Sequence, residues 1–302
     1  MNAYQNHVNK ISSQIPSDLV DLTMKRKRSA PPTQAFSDFL THREQGDWAE
    51  QLLFSALRNS GLPYKPISYG MADRITAGNP DFKKFYNAYQ DELDTIGKRP
   101  DTLLFTPAII EEFNIPDVIS DLNITTLNTI VPKAIAGFEI RSSAYLVNKF
   151  CPKDDRPFLS FTPKVEDLVI VLKWINTYGI PHYYVQVFFD KIYLIPFSKI
   201  LSLLLDAKIV LKGKKIKKIT GYINDEMAFT IEKNPKNQYK ETIHIFLNQG
   251  VCIGEITSRP NLLGSLMELL GGRLLHYVRF QGGTTELHED TILKAFWQTP
   301  QE

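Results

Sequence analysis

Residues 182–197, HYYVQVFFDKIYLIPF, constrain this chain more than any other stretch. Aromatic and β-branched residues run almost unbroken on both sides of Asp190, so the segment reads as two strands joined by a tight turn. Strands this apolar belong inside a sheet covered by helices. A covering helix is legible just upstream. Thr162-Pro163 opens it, Glu166 and Asp167 occupy its first turn, and Val169, Leu172, Trp174 and Ile175 supply the face for burial before Gly179 ends it.

The remaining elements follow the same logic. Residues 33–59 read as helical, with Gly46 a point of division into two helices and Gly61 and Pro63 as stops. YGMADRITAGNP is a glycine-punctuated loop. PDFKKFYNAYQDELDTIG then reads as a helix capped by Asn79, with Pro80 in its first turn and Gly97 past its end. RPDTLLF and AIAGFEIRSSAYL read as further strands. The expected fold is α/β, a mixed central sheet flanked by helices. Residues 1–32 read as an N-terminal arm ending in Pro31-Pro32, residues 33–205 as the core, and residues 206–302 as a C-terminal extension or recognition lobe.

Composition narrows the class. At 43% hydrophobic and 23% charged residues the chain is of ordinary globular type. No apolar run approaches the roughly 20 residues of a membrane span, and the N-terminus lacks the basic-then-apolar form of a signal peptide. Cys151 and Cys252 are too few for a disulfide framework, so a cytoplasmic protein is expected. The six histidines are scattered, with no pair at metal-ligand spacing. The net charge of +2 announces no nucleic-acid partner, but KRKR at 25–28 and KIVLKGKKIKKI at 208–219 concentrate positive charge locally. Such runs are usually solvated surface, and the functional alternative is phosphate contact.

In RPDTLLF, Asp101 stands at the mouth of a buried strand, where Pro100 is tolerated. In GFEIRSS, Glu139 and Arg141 leave one face of a strand while Phe138 and Ile140 leave the other. If the two strands are neighbours, Asp101 and Glu139 meet at one sheet edge. Two adjacent carboxylates repel, and a divalent cation relieves the repulsion. Hard oxygen ligands suit Mg²⁺, completed by water and substrate phosphate. Arg141 then sets a permanent charge beside a phosphate, although a purely structural ion pair with Glu139 is the alternative. Glu50 in GDWAEQLL is a further acid on an upstream helix, or a solvated helix residue. Gln186, polar in the middle of an apolar strand, needs a specific partner.

This is the P-D…[D/E]-x-K pattern with arginine in the lysine place. The blocks GDWAE, YGMADRITAG, ELDTIGKRPDTLLF, AGFEIRSSAYL and FTPKVEDLVIVLKWINTYGIPHYYVQVFFDKIY keep order and approximate spacing. With them the chain resembles the AccI-type family of type II restriction endonucleases over about residues 40–200. The resemblance implies a restriction-endonuclease-like core and Mg²⁺-dependent cutting of double-stranded DNA at a short, near-palindromic site. It also implies a cognate DNA methyltransferase as functional partner. It carries over Asp101 and Glu139 as metal ligands and Arg141 to the lysine position. Because guanidinium stays charged, water activation then falls to the metal. A two-fold site calls for a homodimer. Lys98, Arg99, Arg74, Lys164, Ser142, Ser143 and Gln186 are the candidates for DNA contact. The rivals are a repair or junction-resolving nuclease on the same core, and a DNA-binding protein that does not cleave.

Overall fold

A computed structural model describes residues 1–28, 30–31, 36–70, 81–154, 156–212, 218–234, 236–269 and 271–297. The first half contains α1 (Ala3–Ser12), α2 (Ser37–Asn59), β1 (Lys65–Ser68), α3 (Phe82–Thr95), β2 (Thr102–Phe105), α4 (Pro107–Phe113), α5 (Ile124–Ile130) and β3 (Ala136–Ser142). There follow β4 (Ser160–Phe161), α6 (Val165–Tyr178), β5 (His182–Val187), β6 (Lys191–Pro196) and α7 (Phe197–Asp206). The last third is mostly strand: β7 (Lys208–Lys212), β8 (Lys218–Ile223), β9 (Glu226–Glu232), β10 (Thr242–Phe246), β11 (Val251–Ser258), β12 (Asn261–Glu268), β13 (Leu274–Gln281) and β14 (Thr284–Leu287). Helix α8 (Glu289–Trp297) closes the described chain.

Among the described residues the central sheet has the order β1-β2-β3-β5-β6-β11-β14. It is mixed because β3 and β5 run parallel while its other neighbours are antiparallel. A parallel pair needs a long crossover, and α6 supplies it. Val165, Leu168, Val171, Trp174 and Ile175 of that helix are buried against the sheet's first face together with α1 and α7. Each such side chain contributes about 1.5–3 kcal/mol of apolar burial. Gly179, at φ 78°, ends the helix in the left-handed region. The opposite face of the sheet takes Trp48, Leu52 and Leu53 of α2 with Ile292 and Phe296 of α8. The expected hairpin is the β5–β6 pair, and all six residues of β5 are buried. A second sheet, β4-β10-β9-β8-β7, packs its apolar face into the first core.

Several sequence expectations are corrected. Helix α2 runs unbroken through Gly46, where an added Cβ would meet nothing within 4 Å. Residues 1–32 are not simply an arm: Asn2 and Gln5 form a capping box on α1, and Tyr4, Val8, Ile11, Ile15, Leu19 and Val20 are buried in the main core. The KRKR run docks on α3, where Arg26 pairs with Asp94 at 3.0 Å and Arg28 with Asp91 at 2.8 Å. Residues after 206, expected as an extension or a lobe, add to the central sheet: β11 pairs with β6, β14 lies at its edge, and α8 covers it. The loop at 71–80, with the Asn79 cap, and the lysines of 213–217 lie outside the described residues. Among the described residues no helix is long and apolar enough to cross a membrane.

The packed N-terminal segment makes a direct prediction. Leu19→Ala should lower unfolding free energy by about 2–5 kcal/mol, as for a buried leucine. Denaturant titration showing less than about 0.5 kcal/mol would return the segment to a loosely attached arm.

Candidate active site

Asp101 is clamped through its main chain before its side chain does anything. Its N–H donates to Phe138 O at 2.9 Å, and its carbonyl accepts from Tyr69 N and Gly70 N, both at 3.0 Å. A Cβ on Gly70 would lie 2.9 Å from Asp101 Cα, so glycine is what allows this approach. The carboxylate is then held across the sheet edge, where Oδ2 accepts from Ile140 N at 2.6 Å. Neighbouring antiparallel pairing of β2 with β3 brings Asp101 to Glu139.

Glu139 is 1% exposed. Strand alternation turns it away from Phe138 and Ile140, which enter the second core. Its Oε1 accepts from Lys98 Nζ and lies 2.9 Å from an Arg141 guanidinium nitrogen. Its Oε2 is buried with no hydrogen-bond partner. Lys98 arrives there through a turn: Gly97 has φ 86°, and Lys98 N donates to Ile170 O of α6 at 3.0 Å. Arg141, 45% exposed, reaches outward and also lies 3.7 Å from Asp167 Oδ1. Asp167 in turn caps α6 by accepting from Lys164 N at 3.0 Å.

Glu50, half-buried on α2, completes the acidic side of the site. Burial, then the charges of Asp101, Asp47 and Glu139, push its carboxyl up to about 9. Burial and the Glu139 charge push Asp101 up to about 7. Burial also raises Glu139, but Lys98 and Arg141 outweigh it and hold that carboxyl below its ordinary value. Glu139 is therefore held as an anion, while Asp101 and Glu50 give up their protons only at higher pH than an ordinary carboxyl. Behind them His182 is fully buried between Trp174, Tyr184 and Phe197, and burial lowers it to about 3.

A cleft of about 700 Å³ opens over this cluster, and its lining includes Asp47, Glu50, Tyr89, Lys98, Asp101 and Arg141. Ser142 and Ser143 line it as well. The other DNA-contact candidates are elsewhere. Gln186 is buried beside Arg141 in the parallel register and lines a neighbouring cleft. Lys164, half exposed at the start of α6, lies 3.9 Å from Glu166 and outside the cleft lining. Arg99 is a correction. Its guanidinium is buried against Tyr69, pairs with Glu92 at 2.5 Å and donates to Ser120 O, which leaves no open fork for a phosphate. Arg74 lies outside the described residues. Sequence reasoning missed Asp47, although its spacing of three from Glu50 on one helix was a usable signal. It also set Lys98 beside the site for a phosphate, not upon Glu139.

Among the described residues no three His, Cys, Asp or Glu side chains form a ready metal cage. The donors present are Asp101 and the bare Oε2 of Glu139, with Glu50 nearby. That set fits an ion that takes one or two carboxylates and completes itself with water and phosphate. A family model described as AccI restriction endonuclease matches the chain over residues 1–154 and 151–297. The chain belongs to that family. The match reaches beyond residues 40–200, where the quoted blocks lie. Nothing matches among curated proteins or among solved structures. Membership of the AccI family makes the chain a restriction endonuclease of type II kind, and the mixed sheet with its flanking helices is a restriction-endonuclease-like α/β core.

The acidic cluster has a consequence for the metal-free protein. Folded Asp101 and Glu50 hold protons that the unfolded chain releases near pH 4, so stability falls as pH rises through about 7 and about 9. In EDTA, Glu50→Gln should raise Tm at pH 8 by roughly 2–4 °C, the shift produced by about 1 kcal/mol in a chain of this size. The gain should shrink at pH 5. Calorimetry showing a loss at pH 8, or an equal gain at both pH values, would contradict the cluster.

Proposed function

We propose that this restriction endonuclease hydrolyses phosphodiester bonds of double-stranded DNA at a short, near-palindromic site, with Mg²⁺ held by Asp101 and Glu139. The observation that carries the reading is the buried Glu139. One oxygen is occupied by Lys98 and Arg141, and the other is bare beside an Asp101 carboxyl that repulsion and burial hold protonated to about pH 7. A site so arranged gains by taking a cation. Bound there, Mg²⁺ supplies Lewis-acid stabilisation of the phosphoryl oxygens and acidifies water.

The chain's own residues do the rest. Glu139 stays ionised because Lys98 and Arg141 neutralise it. Arg141 has a side chain 45% exposed and lines the cleft, so it offers fixed positive charge to phosphate oxygens as their charge grows during in-line attack by water. Asp101 is positioned by three backbone hydrogen bonds and by Ile140 N, which limits its motion. Glu50 and Asp47 extend the acidic lining along α2. Two equivalent sites, one for each strand of a palindrome, call for a homodimer. Protection of the host's own DNA calls for a cognate methyltransferase.

Asp101→Asn should abolish cleavage while leaving DNA binding intact or tighter, because a repelling charge is gone. Digestion of phage DNA with sequenced fragment ends reads both points: cuts at one fixed short sequence support the reading, and ends without a common sequence favour a repair-type nuclease. Cleavage by the Asp101→Asn variant at more than a few per cent of the parent rate would overturn the metal assignment. For Arg141, replacement by Lys should keep measurable activity, and replacement by Ala should cost on the order of 10² or more in rate. Normal single-turnover rates in the alanine variant would reduce Arg141 to an ion-pair partner of Glu139.

A further inference from the structure

Ser142, Ser143 and Tyr145 form a strip with a cleft on each side. One is the acidic cleft; the other, of about 420 Å³, is walled by Lys153, Arg156, Leu159, Ser160 and Thr162 and by the second sheet. Its charge is opposite in character. Lys153, Arg156 and Lys218 line it, and among the described lining residues the acid is Glu232, which faces His244 at 3.5 Å.

Lys153 and Arg156 are held together by the backbone. Lys153 N donates to Arg156 O at 3.0 Å, and Arg156 N donates to Lys153 O at 2.9 Å, so the two cations sit opposite each other in an antiparallel bridge. The turn that sets them opposite each other also carries the exposed Asp154, and within the cleft the two cations face the same lining. The Arg156 guanidinium is also pre-oriented. It lies 5.3 Å from the Tyr145 ring centroid and 5.5 Å from that of Phe150. Cation–π attraction to two rings restricts the guanidinium, whose planar fork suits a bidentate acceptor. Tyr145, which carries this stack, belongs to the strip shared with the catalytic cleft.

We propose that Arg156 and Lys153 hold a DNA backbone phosphate beside the scissile one, so that the strand crosses the strip with its reacting phosphate in the acidic cleft. The inference rests on the DNA-cleaving reading above and assigns that reading a second anchoring point. A phosphate here positions the strand and carries no base information.

The test is fluorescence anisotropy of a labelled 24-base-pair duplex of random sequence, in EDTA, over a range of salt. The parent protein, R156A, R156K and K153A are compared. R156A should weaken binding about tenfold or more and flatten the log–log salt slope by roughly 0.9 per lost phosphate contact. K153A should act in the same direction, and its exposed side chain makes it the deciding variant if R156A folds poorly. R156K should keep the slope while binding less tightly, because it retains the charge and loses the fork. In Mg²⁺, R156A should raise KM and leave kcat within about twofold. Parent affinity and slope in both alanine variants, or a fall in kcat alone, would overturn the subsite. Failure of the parent protein to bind any duplex would overturn the DNA reading itself, and the subsite with it.

Discussion

The interaction on which the site depends is the burial of the Glu139 carboxylate with two cations on one of its oxygens. An isolated carboxylate at that depth would take up a proton. Lys98 and Arg141 prevent this, and each comes from a different part of the fold. Arg141 is two residues along the same strand. Lys98 is delivered by the left-handed turn at Gly97, which is itself docked on α6. The helix that makes the parallel β3–β5 crossover possible therefore also places the charge that keeps Glu139 ionised.

Asp101 and Glu50 occupy the other half of this balance. Burial and the Glu139 charge raise both carboxyls, and for Glu50 the charges of Asp101 and Asp47 add to this. The sheet edge pins Asp101 by its backbone, and α2 carries Glu50 on the side opposite its buried Trp48, Ala49 and Leu52. The fold thus concentrates like charge at one point of the sheet, and a change in pH acts on it directly.

The strand and helix assignments in the middle of the chain were legible because their periods are strong. Residues 182–197 are apolar on both faces, and α6 opens and closes with recognisable caps. The Asp101–Glu139 pairing was legible for the same reason, since alternation on β3 puts Glu139 and Arg141 on one face. Other features carried no local signal. The N-terminal helix looks polar in sequence, with its buried residues spaced among Asn, Gln and Lys, and only packing against α6 and α7 shows which face it uses. Gly46 reads as a break, yet a helix packed on a sheet tolerates one glycine at a cost of about 1 kcal/mol. Arg99 and Lys98 are adjacent in sequence and look equivalent, but consecutive side chains point in different directions, one into the ion pair with Glu92 and the other onto Glu139.

By itself the sequence determined the α/β class, the order of the central elements, the family resemblance and the pair of carboxylates, because these follow from residue type and period along the chain. Tertiary structure decided which charges meet. It joined β11, β14 and α8 to the core sheet, buried Arg99, turned Lys98 onto Glu139 and set Lys153 opposite Arg156. Those outcomes depend on contacts between residues far apart in sequence or on the direction of single side chains. Coulomb energy varies with distance and local dielectric, and both become defined only when the chain is packed.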